Sequence, residues 1–173
     1  MSHFSKFYIF LLICAGLSSS CLTPRESSPV NTYDLGKAEQ TNIKLNISTI
    51  DQNGPYKNKM IFRLTPESIH INEFERWTQS PDLVLNNYLK RSFLPGGAFT
   101  LEGDILSFEN DTTTNRAVFT FHYKITKKGI DVDEGIFYGE AQCGKAPAEY
   151  ASAMAKLARD LIKHISQKIS SAD

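Results

Sequence analysis

A chain of 173 residues with 19 Lys and Arg against 19 Asp and Glu carries no formal net charge. That balance excludes the basic stripe a nucleic-acid binder needs and a polybasic hold on anionic lipid. Three cysteines, two of them within the first 21 residues, exclude an intramolecular disulfide framework in the folded part.

The chain opens on Lys6 and an apolar run over residues 7–17, 11 residues long. A spanning helix needs roughly 20 apolar residues. The run therefore reads as the hydrophobic region of a signal peptide over residues 1–20, with Lys6 as its charged head. Ser18, Ser19 and Ser20 then lead into Cys21. A small residue just before a cysteine, after a short hydrophobic run, is what a bacterial lipoprotein signal peptidase cuts. Cys21 is thus the expected lipidation site, with diacylglycerol on its sulfur and a further acyl chain on its amine. Each buried methylene adds about 0.8 kcal/mol, so several chains make the anchor effectively permanent.

Ser18 stands where Leu or Val is usual three places before the cysteine, and Leu17 is one place too early. The competing reading is an ordinary secretory signal cut near Ser20, with Cys21 left as a loose thiol. Cys14 follows bulky Ile13 inside the apolar run and is a poor second candidate. Leu22, rather than an aspartate, follows Cys21; this favours an outer-membrane lipoprotein facing the periplasm, with the inner membrane as the alternative.

Cleavage before Cys21 leaves 153 residues, with 18 cations against 19 anions once Lys6 has gone. That length suits one domain with a sizeable core. Cys143 alone remains as a thiol, expected to be buried or half-buried. Residues 21–32 hold Pro24, Pro29 and four hydroxyl residues without apolar periodicity, which predicts a flexible tether. The folded domain is expected over residues 33–173.

Tyr33-Asp34-Leu35-Gly36 reads as a short strand. Ile43, Leu45 and Ile47 alternate with polar residues at the period of a half-buried strand. Asn53-Gly54-Pro55 is a turn. The next strand covers 60–65, with Met60, Phe62 and Leu64 on one face, and another carries Ile69 and Ile71 and ends near Glu75.

Ser80-Pro81-Asp82 opens a helix: serine to accept from free amides, proline preset for the first helical position, aspartate to complement the dipole. Leu83, Val84, Tyr88 and Leu89 are its expected apolar face, and it stops before Pro95-Gly96-Gly97. A strand over 99–108 follows. Ala117, Phe119, Phe121, Tyr123 and Ile125 make the clearest strand in the chain. Lys128-Gly129 turns it back onto a partner over 136–141.

After Pro147 a helix runs to about Ile169, its stripe Tyr150, Met154, Leu157, Leu161 and Ile165, with cations toward its C-terminal end. Strands, helix, strands, helix predict an α+β fold: an antiparallel or mixed sheet with two helices packed on one face.

No catalytic set, cofactor motif or metal cluster is legible. His3, His70, His122 and His164 have no ligand spacing. Asp131, Asp133 and Glu134 lack the ligand pattern of a calcium loop and read as a solvated turn. Pro95-Gly96-Gly97 is too short for a phosphate loop and leads into no helix. There is no nucleophile elbow, and nothing points to Cys143 as a nucleophile. The domain reads as non-catalytic.

The stretch Glu75-Arg76-Trp77-Thr78-Gln79-Ser80-Pro81, followed by Leu83, Leu85 and Leu89, resembles the signature of the ABC-type transport auxiliary lipoproteins, the PqiC/YmbA-like family. The opening Tyr33-Asp34-Leu35-Gly36, the strand Met60-Ile61-Phe62-Arg63 and the Ala-rich final helix from Tyr150 agree with it in order. The likeness covers about 33–169. Thr78, where Ala is usual, and Ser18 in the signal depart from it. The resemblance implies a lipoprotein that works with an MCE-domain protein and ABC transporter components in moving phospholipid or other hydrophobic molecules across the envelope. It implies assembly into rings in some members. Trp77 is then either a partner-facing aromatic or, as the default, a plug in the core. The alternative from another class is an envelope-assembly or ligand-binding lipoprotein unrelated to ABC transport.

Overall fold

The computed structural model describes residues 29–172. The signal segment 1–20, the lipidation residue Cys21 and most of the tether lie outside the described residues. Among the described residues seven strands and two helices follow in order. They are β1 (Asn31–Tyr33), β2 (Asn46–Gln52), β3 (Lys59–Thr65), β4 (Ser68–Trp77), α1 (Pro81–Ser92), β5 (Phe99–Asp111), β6 (Arg116–Lys127), β7 (Ile130–Gln142) and α2 (Pro147–Ala172). The strands form one sheet in the order β1-β4-β3-β5-β6-β7, and β2 also lies along β5. Pairs β3/β4, β5/β6 and β6/β7 are antiparallel; β1/β4, β2/β5 and β3/β5 are parallel. The fold is α+β with a mixed sheet, as the pattern of elements predicted.

β1 takes in Asn31 and Thr32, two residues expected in the tether, because their backbone pairs with Glu75 and Arg76 of β4. Tyr33 therefore closes β1 and does not open a strand, and Gly36 follows at φ +74, a left-handed turn position.

The central hairpin forms as its sequence dictates. Lys128 and Gly129 both have positive φ, the two-residue turn whose twist matches that of the flanking strands. The inward row of β6, Ala117, Phe119, Phe121, Tyr123 and Ile125, is buried throughout. Opposite it on β7 stand Ala141, Gly139, Phe137 and Gly135. A methyl group at Gly135 would come within 2.9 Å of the Tyr123 hydroxyl, and one at Gly139 within 2.9 Å of Leu157 Cδ2. Gly139 thus lets the long helix lie close on the sheet, and Gly135 leaves room for the Tyr123 ring.

α2 buries Tyr150, Met154, Leu157, Leu161 and Ile165, the whole expected stripe, against β5, β6 and β7. It runs to Ala172, so its last turn holds no cation. Lys127 of β6 supplies one instead, with Nζ donating to the Ala172 carbonyl at 3.2 Å. Both helices bury their stripes in one core and touch each other.

α1 differs from expectation in two ways. Its buried face is Pro81, Val84, Leu85, Tyr88, Leu89 and Ser92, while Leu83 is 46% exposed; the helical period selects Leu85 and rotates Leu83 outward. Ser80 is the N-cap residue, but its hydroxyl makes no capping bond. The helix closes at Ser92, short of Pro95 as expected, and at Phe93 the chain turns extended. There it pairs with the segment expected as an early strand: Thr41 N–H donates to Ser92 O, Leu94 N–H to Ile43 O and Leu45 N–H to Leu94 O. β2 proper starts only at Asn46.

In β3, Met60, Ile61 and Phe62 are all buried and Leu64 is 48% exposed. Register shifts either side of Ile61 to Arg63 break the alternation the sequence suggested. Arg63 then locks β3 to β5: Nε and Nη2 donate to the two oxygens of Glu109 at 2.7 and 2.8 Å. The Glu109 carboxylate is nearly buried, so this bidentate pair is costly to break from the Arg63 side.

Candidate interaction surfaces

Trp77, at the end of β4, is fully buried. The rings of Phe108 and Tyr150 meet it edge-on at 5.1 and 5.5 Å between centroids. Tyr150 OH in turn donates to Phe108 O at 3.0 Å. The most distinctive stretch of the sequence therefore contributes a core plug and not a contact surface. Cys143 is also buried, its thiol 3.4 Å from Asn110 Oδ1, and burial pushes its pKa up. It is held as a thiol, the unreactive form.

The acidic residues expected in a solvated turn lie within β7 instead. Asp131 takes Lys124 Nζ at 2.9 Å, and Glu134 faces His122 Nε2 at 3.0 Å. Asp133 accepts from Tyr123 OH at 3.2 Å and from Lys168 Nζ at 3.2 Å. His164 of α2 joins this last group, with Nε2 3.1 Å from Tyr123 OH and its ring edge-on to Tyr123. Burial, and then the nearby Lys168 charge, hold the His164 pKa below its ordinary value. His122 lies on the opposite side of the sheet, between Glu134 and Asp104. These contacts are cross-strand and helix-to-sheet ties. Among the described residues no three His, Cys, Asp or Glu side chains gather where they could hold a metal ion.

On the helix side, residues 37–40 and the end of α1 border an open cleft of about 810 Å³. Lys37, Lys90 and Arg91 line it over Phe93 and Pro95. Arg91 reaches Asp34 at 3.8 Å and lies over the Tyr88 ring.

Among the described residues the other side of the sheet carries no helix. Its rows run across the strands: Glu109, Val118 and Glu140; Ser107, Thr120 and Tyr138; Asp104, His122 and Ile136; Glu102, Lys124 and Glu134. Ile136 and Tyr138 are 60% and 59% exposed on this face. Leu64, Ile69, Phe74 and Leu106 are exposed elsewhere along the strands. The periodicity marked 136–141 as a strand but did not say which side was wet. The signal was present in Gly135 and Gly139: small residues alternating with Phe137 mark the face packed under α2, which turns Ile136 and Tyr138 to water.

Among the described residues no helix is long and apolar enough to cross a membrane. No family model matches the chain, and no curated relative does. Several solved structures share its fold, among them the following two. One, a crystal structure of an uncharacterized protein, aligns with TM-score 0.64 at 15% identity over 80% of this chain and 99% of that one. The other, protein XCC0632 from Xanthomonas campestris, of the DUF330 family, aligns with TM-score 0.62 at 14% identity over 80% of this chain and 90% of that one. At such identities the likeness is one of fold.

Proposed function

We propose that this chain is a non-catalytic, lipid-anchored subunit of an ABC/MCE-type transport system that moves phospholipid or other hydrophobic molecules across the cell envelope. The observation that carries the reading is the one-sided burial of the sheet. Helices cover one face; the other leaves large apolar side chains, Ile136 and Tyr138 among them, in water. Neighbouring exposed apolar side chains mark interaction surfaces, and Tyr is enriched in them. The ordered motifs around Trp77 and the lipoprotein-like segment ending at Cys21 add to it.

The anchor fits this role. Residues 22–30, between Cys21 and β1, can span about 30 Å when extended, enough to hold the domain clear of the headgroups. A tethered domain with an uncovered sheet face can then hold a protein conduit against its membrane. Replacement of Cys21 by Ala is expected to abolish labelled palmitate incorporation and release the protein from the membrane fraction. A Cys21→Ala protein that fractionates like wild type would remove the anchoring half of the proposal.

The second reading, a ligand-binding lipoprotein, draws on the cationic cleft at Lys37, Lys90 and Arg91. Co-purification with an MCE-domain protein separates the two: the docking subunit retains that partner in mild detergent, and a ligand binder does not.

A further inference from the structure

β7 is 13 residues long and, among the described residues, pairs with β6 alone. A strand edge of that length leaves a row of backbone donors and acceptors able to take another strand. Edges are commonly blunted with bulges and charges, and the first part of β7 is blunted in this way. Its pairing shifts register at Ile125/Thr126, and Asp131, Asp133 and Glu134 cluster there. From Gly135 to Gln142 the register is regular and Glu140 is the one charged residue. Ile136 and Tyr138 stand exposed at its centre.

We propose that the 135–142 edge of β7 is a docking site for an extended segment of a partner protein, which adds to the sheet as an eighth strand. The proposal deepens the docking-subunit reading and rests on it. Side chains on the open face of the sheet run Glu134, Ile136, Tyr138, Glu140 at every second position. A strand laid beside them meets a carboxylate, two apolar groups and a carboxylate in turn. The fitting partner therefore alternates cation, apolar, apolar, cation at the same period. β7 contains no Lys or Arg; on the open face His122 meets Glu134 from β6, while Glu140 takes Arg116 of β6 at 2.6 Å and the neighbouring Tyr138 hydroxyl. A second copy fits poorly, because antiparallel self-pairing centred on Phe137 sets Glu134 against Glu140 at both ends. The chain's own N-terminal segment enters at β1, the opposite edge of the sheet, five strand spacings or about 24 Å away.

The test uses the mature chain and two synthetic peptides, Lys-Thr-Val-Thr-Val-Thr-Lys and the same sequence with Glu for both Lys. Amide hydrogen exchange and fluorescence anisotropy read the outcome. The Lys peptide is expected to protect amides within 135–142 and to bind at least tenfold more tightly than the Glu peptide. An Ile136→Lys/Tyr138→Lys chain, altered only at exposed positions, should keep its melting temperature and lose at least tenfold in affinity for the Lys peptide. Three results would overturn the proposal: no added protection in β7, equal affinity for the two peptides, or a wild-type dimer in sedimentation that the double variant abolishes. Failure here leaves co-purification with an MCE-domain protein intact. Loss of that partner with β7 still protected by peptide would remove the transport reading and keep the edge.

Discussion

Trp77 sits between the rings of Phe108 and Tyr150 with none of its surface in water. Its indole nitrogen finds no hydrogen-bond partner among the described residues, so its whole contribution is burial and ring packing. Trp77→Ala should lower unfolding free energy by about 3–5 kcal/mol, read by urea denaturation; a loss under about 1 kcal/mol would contradict the core role. His164 makes a different kind of prediction. Tyr123, Asp133 and Lys168 face it, and burial and Lys168 lower its pKa in the folded state. The folded protein therefore binds fewer protons there than the unfolded chain. Its contribution is fully present above the unfolded value of about 6.5 and is lost as pH falls toward the lowered one. The melting temperature should drop between about pH 7 and pH 5, and His164→Gln should flatten that slope. An unchanged slope in the variant would assign the pH dependence to other groups.

β7 and α2 meet through glycine. At Gly139 a Cβ would lie 2.9 Å from Leu157 Cδ2 and 3.1 Å from the Phe137 ring. Gly139→Ala should therefore cost about 1–3 kcal/mol by overpacking, measured as a shift of the denaturation midpoint, and Leu157→Ala in the same chain should recover part of it. Independent, additive losses would show that the close approach is not what Gly139 serves. The sequence made this hairpin legible because strict alternation on β6, a Lys-Gly turn and an unbroken helical stripe from Tyr150 to Ile165 are local signals. What stayed hidden is non-local. Leu83 looked as apolar as Leu85, and its exposure follows from which side of α1 packs into the core. Ile43 and Leu45 pair with the end of α1, a contact across about 50 residues that no period encodes. The register shifts of β3 and the parallel pairing of β1 are likewise choices made by partners distant in sequence. The open edge at 135–142 was half legible, in its glycines, but its exposure followed only from the strand order.

Over residues 29–172 the protein is a sheet with one face covered by helices, a long edge at β7 that pairs with β6 alone, and a first strand at the opposite edge. In the proposed role that arrangement separates anchor from contact surface: Asn31 opens β1 beside β4, and β7 is the other edge of the sheet. A docking subunit needs this separation, since a surface beside its own tether would be blocked by the membrane. The shared fold of the Xanthomonas campestris protein shows that the architecture persists at 14% identity. The central proposal is a domain anchored through Cys21 that serves an MCE-type transport assembly. Purification of the tagged full-length chain from membranes in mild detergent tests it most directly. The account predicts an MCE-domain protein in the eluate, retained by wild type and depleted at least tenfold from the Ile136→Lys/Tyr138→Lys chain. An eluate of wild-type protein with no MCE-domain partner would contradict it.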